Sequence, residues 1–438
     1  MLIVKNNYLS LENRTTANVN ESTLPAKLLT TFLLAYIVPI FGLYGIFVLP
    51  DSGLILGLSI MLWASDNIVR QQLVSIKNSL FLALGLGIGL LSKYHILPLG
   101  GGMLLGLYID LLCQNRQANW LNLAKLALSI VLCLIIAAPL FVWNYANHYA
   151  SFIFQLQHGF TSNGWRISTM FEFILGILLY LTPWFAYLLV RDGIFKNRKY
   201  YILIPVIALS LILLISSLRK VILPHWLAPA FWLLIPYLVI NTSKLKFVKA
   251  MCKYTSILWI LLIILLLTPG GMLNIKKVAK LFNVSASSMI DILLWQELPG
   301  LFNENTDLQH SIARLNTNSP NCHFSYKLIG TMRWFWAAQL EYHKAFPAAY
   351  KILNLDLQSS NFYIWRDNLT NFANCRVVII ADRDNLKDMA NLIDIKNSYT
   401  IHGIGDYKSL NLTVVEGVFK DAAIIKPFQQ TLLKNPHY

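Results

Sequence analysis

The chain has 438 residues, of which 56% are hydrophobic and only 13% charged, and its formal charge is +15. A soluble globular protein carries about 25% charged residues, so a chain folded wholly in water is excluded. The excess positive charge lies in short loops between apolar runs, not in a basic stripe on a soluble face, so a nucleic-acid partner is excluded as well.

Residues 1–26 are polar, rich in Asn, Thr and Ser, and lack the apolar core of a secretory signal. They read as a disordered cytoplasmic tail. Residues 27–272 read as a multi-span membrane domain, since apolar runs of roughly 18 or more residues predict transmembrane helices. About nine spans are predicted: 27–49, 53–68, 79–92, 94–113, 121–142, 169–190, 200–217, 223–241 and 254–272. The two between 79 and 113 also fit one long broken helix. Between spans, alternate loops are basic: Arg70 and Lys77; Arg116; Arg191, Lys196, Arg198 and Lys199; Lys244, Lys246, Lys249 and Lys253. By the positive-inside rule these loops and the N-terminus face the cytoplasm. The other loops and residues 273–438 then face outward, which for a bacterial inner membrane means the periplasm. No internal repeat is visible, which weighs against inverted-repeat transporters.

Residues 273–438 carry 17 basic and 14 acidic residues, an ordinary soluble balance. Helix-like segments are 287–298, 306–315, 327–343 and 384–395. Strand-like segments are 349–354, 361–365, 376–381, 397–402 and 411–418. The alternation predicts a small soluble α/β domain. Cys322 and Cys375 lie in it, where a disulfide would persist, though sequence does not fix the pairing. Asp382 and Asp384 after a strand suggest either a metal site or a helix N-cap, and the cap explains them better. No Cys/His spacing typical of a metal site is present.

The candidate functional residues gather where apolar runs break on the predicted outer face. Polar groups are costly in a bilayer, so such a cluster marks a site. Lys93, beside Tyr94, would snorkel to the interface, either to meet a lipid phosphate or to serve as an anchor. Arg219 and Lys220 run against the positive-inside bias, and a guanidinium fork suits a phosphate. His225 offers an acid, a base or a donor; with Trp226 it also fits an interfacial belt. The segment 143–168, including Trp143, Asn144 and His148, predicts an aromatic and amide-rich outward loop. Such a loop suits a sugar, or else lies on the bilayer surface. Asp51 follows Pro50 at the start of a span, where it could bind a metal, orient an acceptor or cap the helix.

Taken together these residues resemble the C-type glycosyltransferase superfamily. The match is to the bacterial branch related to dolichyl-phosphate-mannose protein mannosyltransferases and to the aminoarabinose transferase of lipid A. It rests on Pro50-Asp51, Gly89-Leu90-Leu91-Ser92-Lys93-Tyr94, Pro139, Trp143-Asn144, Ser151-Phe152, Gln155, Pro224-His225-Trp226 and Ala228-Pro229. The resemblance implies a C-type glycosyltransferase fold and transfer of a sugar from a polyprenyl-phosphate donor at the outer membrane face. The acceptor would be a lipid, a glycan or a protein. Lys93 would contact the carrier phosphate, and Arg219 or Lys220 with His225 would sit near the donor head group. The family's acidic motif in a first outward loop has no counterpart, so the chain reads as a member without its first spans. Asp51 is then the acidic candidate for catalysis. No cofactor is required by this reading, although a divalent metal is compatible with it. The alternatives are carrier binding without turnover, or transport of lipid-linked sugars. Transport would be marked by ionisable residues deep within spans, of which the sequence shows almost none.

Overall fold

The computed structural model describes residues 23–37, 50–114, 120–160, 164–195, 199–241, 245–267, 305–315, 322, 327–332, 334–342, 346, 349–355, 368–381, 389–402 and 411–434. The chain divides into two compact units. One comprises Met1–Tyr145 and Gly159–Leu262, the other Ala146–His158 and Ile263–Tyr438.

The first unit is helical. Helix α1 spans Thr23–Ile37, α2 Pro50–Gln71, α3 Ile76–Ser92 and α4 Ile96–Gln114. Helix α2 starts on a proline, whose missing N–H is no loss at that position. It carries Asp51 in its first turn and Arg70 in its last, the signs that suit the helix dipole. Helix α3 is capped by Ser75, whose Oγ accepts from the Asn78 amide at 3.1 Å. It stops at Lys93, an extended residue whose N–H bonds the Gly89 carbonyl at 2.8 Å. Residues 79–113 are therefore two helices with a break at 93–95.

Helices α2 and α3 pack against each other through glycines. A Cβ on Gly57 would collide with the Gly85 carbonyl oxygen, and one on Gly85 would press into the Gly57 carbonyl oxygen and Met61. Gly53 and Gly57 on one helix and Gly85 and Gly89 on the other form two small-xxx-small patterns. Such patterns let helix backbones approach where no hydrophobic force separates protein from lipid.

Two predicted spans are bent. The first divides into α5, Trp120–Ile136, and α6, Ala138–Ala146, at 53°. The second divides into α8, Ile167–Leu181, and α9, Pro183–Leu188, which runs on as a π-helix; the bend is 94°. Thr182 between them has φ +65°, outside the helical region, and Pro183 follows it. The segment predicted as an aromatic loop is largely helical. It ends α6, then forms α7 at Ala150–Phe160, and re-enters helix at Ile167. Helix α10 spans Tyr200–Ser217, a 3-10 turn covers Pro224–Leu227, α11 spans Ala228–Asn241 and α12 Leu245–Leu267. Among the described residues three helices are long and apolar enough to cross a membrane, or five if each bent pair is one span. Each bent pair corresponds to one expected span, and parts of others, such as 38–49 and 268–272, lie outside the described residues.

The second unit holds a five-stranded sheet in the order β2-β1-β3-β5-β4. Its strands are β1 Lys327–Thr331, β2 Tyr350–Asn354, β3 Arg376–Ala381, β4 Ile393–His402 and β5 Asn411–Phe419. The pairs β1/β2 and β1/β3 are parallel; β3/β5 and β4/β5 are antiparallel. Helices α13, Thr306–Arg314, α14, Trp334–Tyr342, and α15, Ala422–Lys434, complete it. Alternation along β3 sends Val378 and Ile380 to one apolar cluster and Val377 and Ile379 to the other, so both faces of the sheet are covered.

Two expectations here are corrected. Residues 327–343 are not one helix: 327–331 form a central strand, with Gly330 pressed by Leu355 and Ile379 of its neighbours. Strand pairing overrides the helical propensity of this apolar run. Residues 393–395, expected at the end of a helix, begin strand β4, while 384–388 lie outside the described residues. So do 287–298, 361–365 and Asp382 to Asp384. Helix α15 was not foreseen.

Cys322 and Cys375 are joined by a disulfide across 53 residues of sequence. Cross-linking a loop of this size restricts the unfolded chain. Cys375→Ser should therefore lower the stability of this unit by about 2–4 kcal/mol. Denaturant unfolding with and without reductant checks this, and coincident midpoints would contradict it.

Candidate functional site

The centre of the site is a buried ion pair. The Lys93 ammonium donates to both carboxylate oxygens of Asp51, at 2.8 and 2.9 Å. The Asp51 side chain is 5% exposed and that of Lys93 19%. The two residues are 42 positions apart, and the glycine-lined crossing of α2 and α3 puts the start of one helix beside the end of the other. Lys93 also lies over the Trp226 ring, 5.6 Å from its centroid, a cation–π distance. His95 meets Trp226 edge to face at 5.7 Å. His225 is within electrostatic reach of both Lys93 and Asp51. Helix α11, which follows Trp226, is tied to α2 by a hydrogen bond from Trp232 Nε1 to Ser59 Oγ at 2.9 Å. Three separate chain breaks thus converge on one ammonium.

The structure brings Asp51, Lys93, His225 and Trp226 together and adds His95. Tyr94 packs on the apolar core beside them. Asp51 sits inside the first turn of α2, not at its cap. Arg219 and Lys220 occupy the break after α10. The Arg219 guanidinium stacks on the Trp165 ring at 5.3 Å, and its Nε is buried without a hydrogen-bond partner among the described residues. The break is stitched to the start of α8: the Arg166 amide donates to the Leu218 carbonyl at 2.6 Å and Thr169 Oγ1 to that of Ser217 at 2.6 Å. Burial lowers the affinity of the Lys220 amine for its proton. Asn144 is fully buried, and its Nδ2 donates to the Leu140 carbonyl of its own helix at 3.0 Å. Trp143 is exposed. His148 is exposed and belongs to the second unit; with Tyr149 it forms consecutive residues at positive φ, +54° and +58°. That pair turns the chain between α6 and α7.

Sequence reasoning missed a second polar cluster. Asp66, fully buried in α2, accepts from Arg70 Nε at 2.7 Å and Lys199 Nζ at 3.1 Å. The hydroxyls of Tyr201 and Tyr237 each donate to it at 3.2 Å. Asp110 in α4 accepts from the Tyr201 amide at 2.9 Å, capping α10 from outside. Asp66 and Asp110 lie near the ends of α2 and α4, so they do not overturn the expectation of almost no ionisable residues deep within spans. The two carboxylates and two cations balance, so this network holds α2, α4, α10 and α11 together. Asp66 lies about 22 Å along α2 from Asp51, at 1.5 Å per residue. Its signal in the sequence was two acidic residues inside predicted spans. Among the described residues, no group of three His, Cys, Asp or Glu side chains converges in a way that could hold a metal ion.

Comparison with known proteins adds the following. No curated protein sequence matches the chain. The crystal structure of ArnT from Cupriavidus metallidurans bound to undecaprenyl phosphate is similar at 14% identity, with a TM-score of 0.47, covering 88% of this chain and 78% of that one. Its apo-state structure gives 13% identity and a TM-score of 0.49, covering 97% and 82%. Residues 21–143 match the family model described as dolichyl-phosphate-mannose-protein mannosyltransferase. It is therefore the segment carrying both members of the buried ion pair that has the sequence character of the dolichyl-phosphate-mannose-protein mannosyltransferase family.

Proposed function

We propose that this chain is an integral membrane glycosyltransferase that moves a sugar from a polyprenyl-phosphate donor to a lipid, glycan or protein acceptor. The observation that carries the reading is the Lys93 ammonium, held between the Asp51 carboxylate and the Trp226 ring, with Lys93 and Asp51 both inside the family-matching segment. A carrier phosphate reaching this ammonium would compete with Asp51 for it, and would draw it away as the sugar leaves, because the departing phosphate then gains a second negative charge. The released carboxylate could then take the proton of an acceptor hydroxyl. That oxygen attacks the anomeric carbon, the bond from the sugar to the phosphate oxygen breaks, and the bonding pair leaves on the carrier phosphate. Configuration at the sugar inverts. Lys93 stabilises the departing phosphate, with Arg219 or Lys220 as further cations of the same face. The loops bearing these residues face the periplasm in this proposal, and the basic loops face the cytoplasm.

A second reading follows from the same geometry. If Asp51 keeps both of its contacts to Lys93, the protein binds carrier lipid without turning it over. Two variants separate the readings in the full chain, reconstituted in lipid nanodiscs with undecaprenyl phosphate and a sugar-loaded analogue. Lys93→Met should weaken carrier binding at least about tenfold through loss of a charge-assisted contact. Asp51→Asn should keep carrier binding and slow transfer by about 10²–10⁴-fold. Carrier binding unchanged in Lys93→Met sinks both readings. Binding by wild type with no transfer to any acceptor class leaves the second.

A further inference from the structure

We propose that the second unit carries a binding site for an acidic saccharide, in the cleft between the 3-10 turn Leu369–Phe372 and helix α15. The cleft has a volume of about 540 Å³ and is lined by Asn368, Thr370, Ala422, Ala423, Lys426, Gln429 and Gln430. That lies within the range of about 300–1,000 Å³ for small-molecule sites.

The lining is specific in its hydrogen-bonding sense. Asn368 Oδ1 accepts from the amide of Thr370 at 3.2 Å and from its hydroxyl at 2.7 Å. The Asn368 oxygen is thereby used within the turn, and its Nδ2 is turned away from these contacts. The Thr370 hydroxyl has spent its proton, so it presents lone pairs to a ligand. Gln430 is exposed and brings both a donor and an acceptor, and Lys426 is exposed and brings a cation. No carboxylate lies among the described lining residues. Acceptors and amide donors set side by side match the hydroxyls of a sugar edge. The Lys426 ammonium, with no carboxylate among the described lining residues, would favour a carboxylate on that sugar.

The walls are pre-formed. The Gln429 Oε1, on α15, accepts from the Leu369 amide at 3.2 Å in a buried contact that bridges the two walls. The turn runs into Cys375, which the disulfide anchors to Cys322, and the Asn374 amide donates to the Phe419 carbonyl at 3.0 Å. A ligand would therefore meet little cost in ordering the site. An acidic glycan held here would be an acceptor or product in the transfer proposed above. That assignment rests on the proposed function, but the binding itself does not.

The test uses the full chain in detergent, with D-glucuronate, D-glucose and inorganic phosphate as probes in ligand-observed NMR. Glucuronate should bind saturably, with glucose at least about tenfold weaker, the worth of one charge-assisted contact. Lys426→Ala should weaken glucuronate by at least about tenfold, and Gln430→Ala should weaken it without changing the thermal midpoint. Lys93→Met should leave glucuronate binding unchanged. If no probe saturates, or if Lys426→Ala and Gln430→Ala both bind like wild type, the saccharide site is overturned. If phosphate binds as tightly as glucuronate, the cleft is a bare anion site and the proposal also fails. Glucuronate binding in a protein without transferase activity would refute the transfer reading alone.

Discussion

Lys93→Ala should destabilise the membrane unit by about 3–5 kcal/mol, because it leaves a buried carboxylate without its cation. Asp51 is 3% exposed and takes both contacts from Lys93. In Asp51→Ala the stranded group is the ammonium, which is 19% exposed and keeps the Trp226 face, so the loss should be smaller. The double variant Asp51→Leu with Lys93→Met should recover most of the stability of either single charge deletion. Apolar groups of similar volume can replace a buried pair at little cost. Carrier binding should not recover with it, since no ammonium remains to meet a phosphate. Unfolding of wild type, Asp51→Leu, Lys93→Met and the double variant in one detergent, followed by circular dichroism, gives the coupling energy directly. Additive losses would mean that the two charges are not coupled.

Gly57→Leu should prevent folding of the membrane unit. The backbones of α2 and α3 meet at Gly57 and Gly85, and any side chain at Gly57 runs into a carbonyl oxygen and not into a flexible side chain. The helices would have to part, which removes the packing that drives association in lipid. Parting them also separates Asp51 from Lys93, since one heads α2 and the other ends α3. Gly101→Leu is the matched control: a Cβ there meets nothing within 4 Å. Yield of monodisperse protein after extraction, and the thermal midpoint of what survives, are the measurements. A Gly57→Leu protein as stable as Gly101→Leu would show that the close approach of α2 and α3 is not required.

Legibility differed between the two units for a physical reason. In the second unit, strands 349–354, 376–381 and 411–418 were readable because a strand's β-branched and apolar content is local. Strand β1 was misread as helix because Lys327 to Thr331 carry no alternation; their strand state comes from pairing with β2 on one side and β3 on the other. The Cys322–Cys375 bond was foreseeable as a possibility only, because pairing depends on which chain ends meet.

In the membrane unit the sequence by itself determined where apolar runs break, and so which polar residues stand at helix ends. Asp51, Lys93, Arg219, Lys220, His225 and Trp226 were all visible in that way, since inserting a polar group in hydrocarbon is costly wherever it occurs. Only the tertiary structure decided their partners. It gave Lys93 to Asp51 and Trp226, laid Arg219 on Trp165, and left His148 in the other unit. It also turned Asp66 and Asp110 from two lone acids into the hub that holds four helices. Hydropathy is summed along the chain and reports burial. The choice of partner depends on the crossing of helices distant in sequence, which here the glycines at 57 and 85 permit.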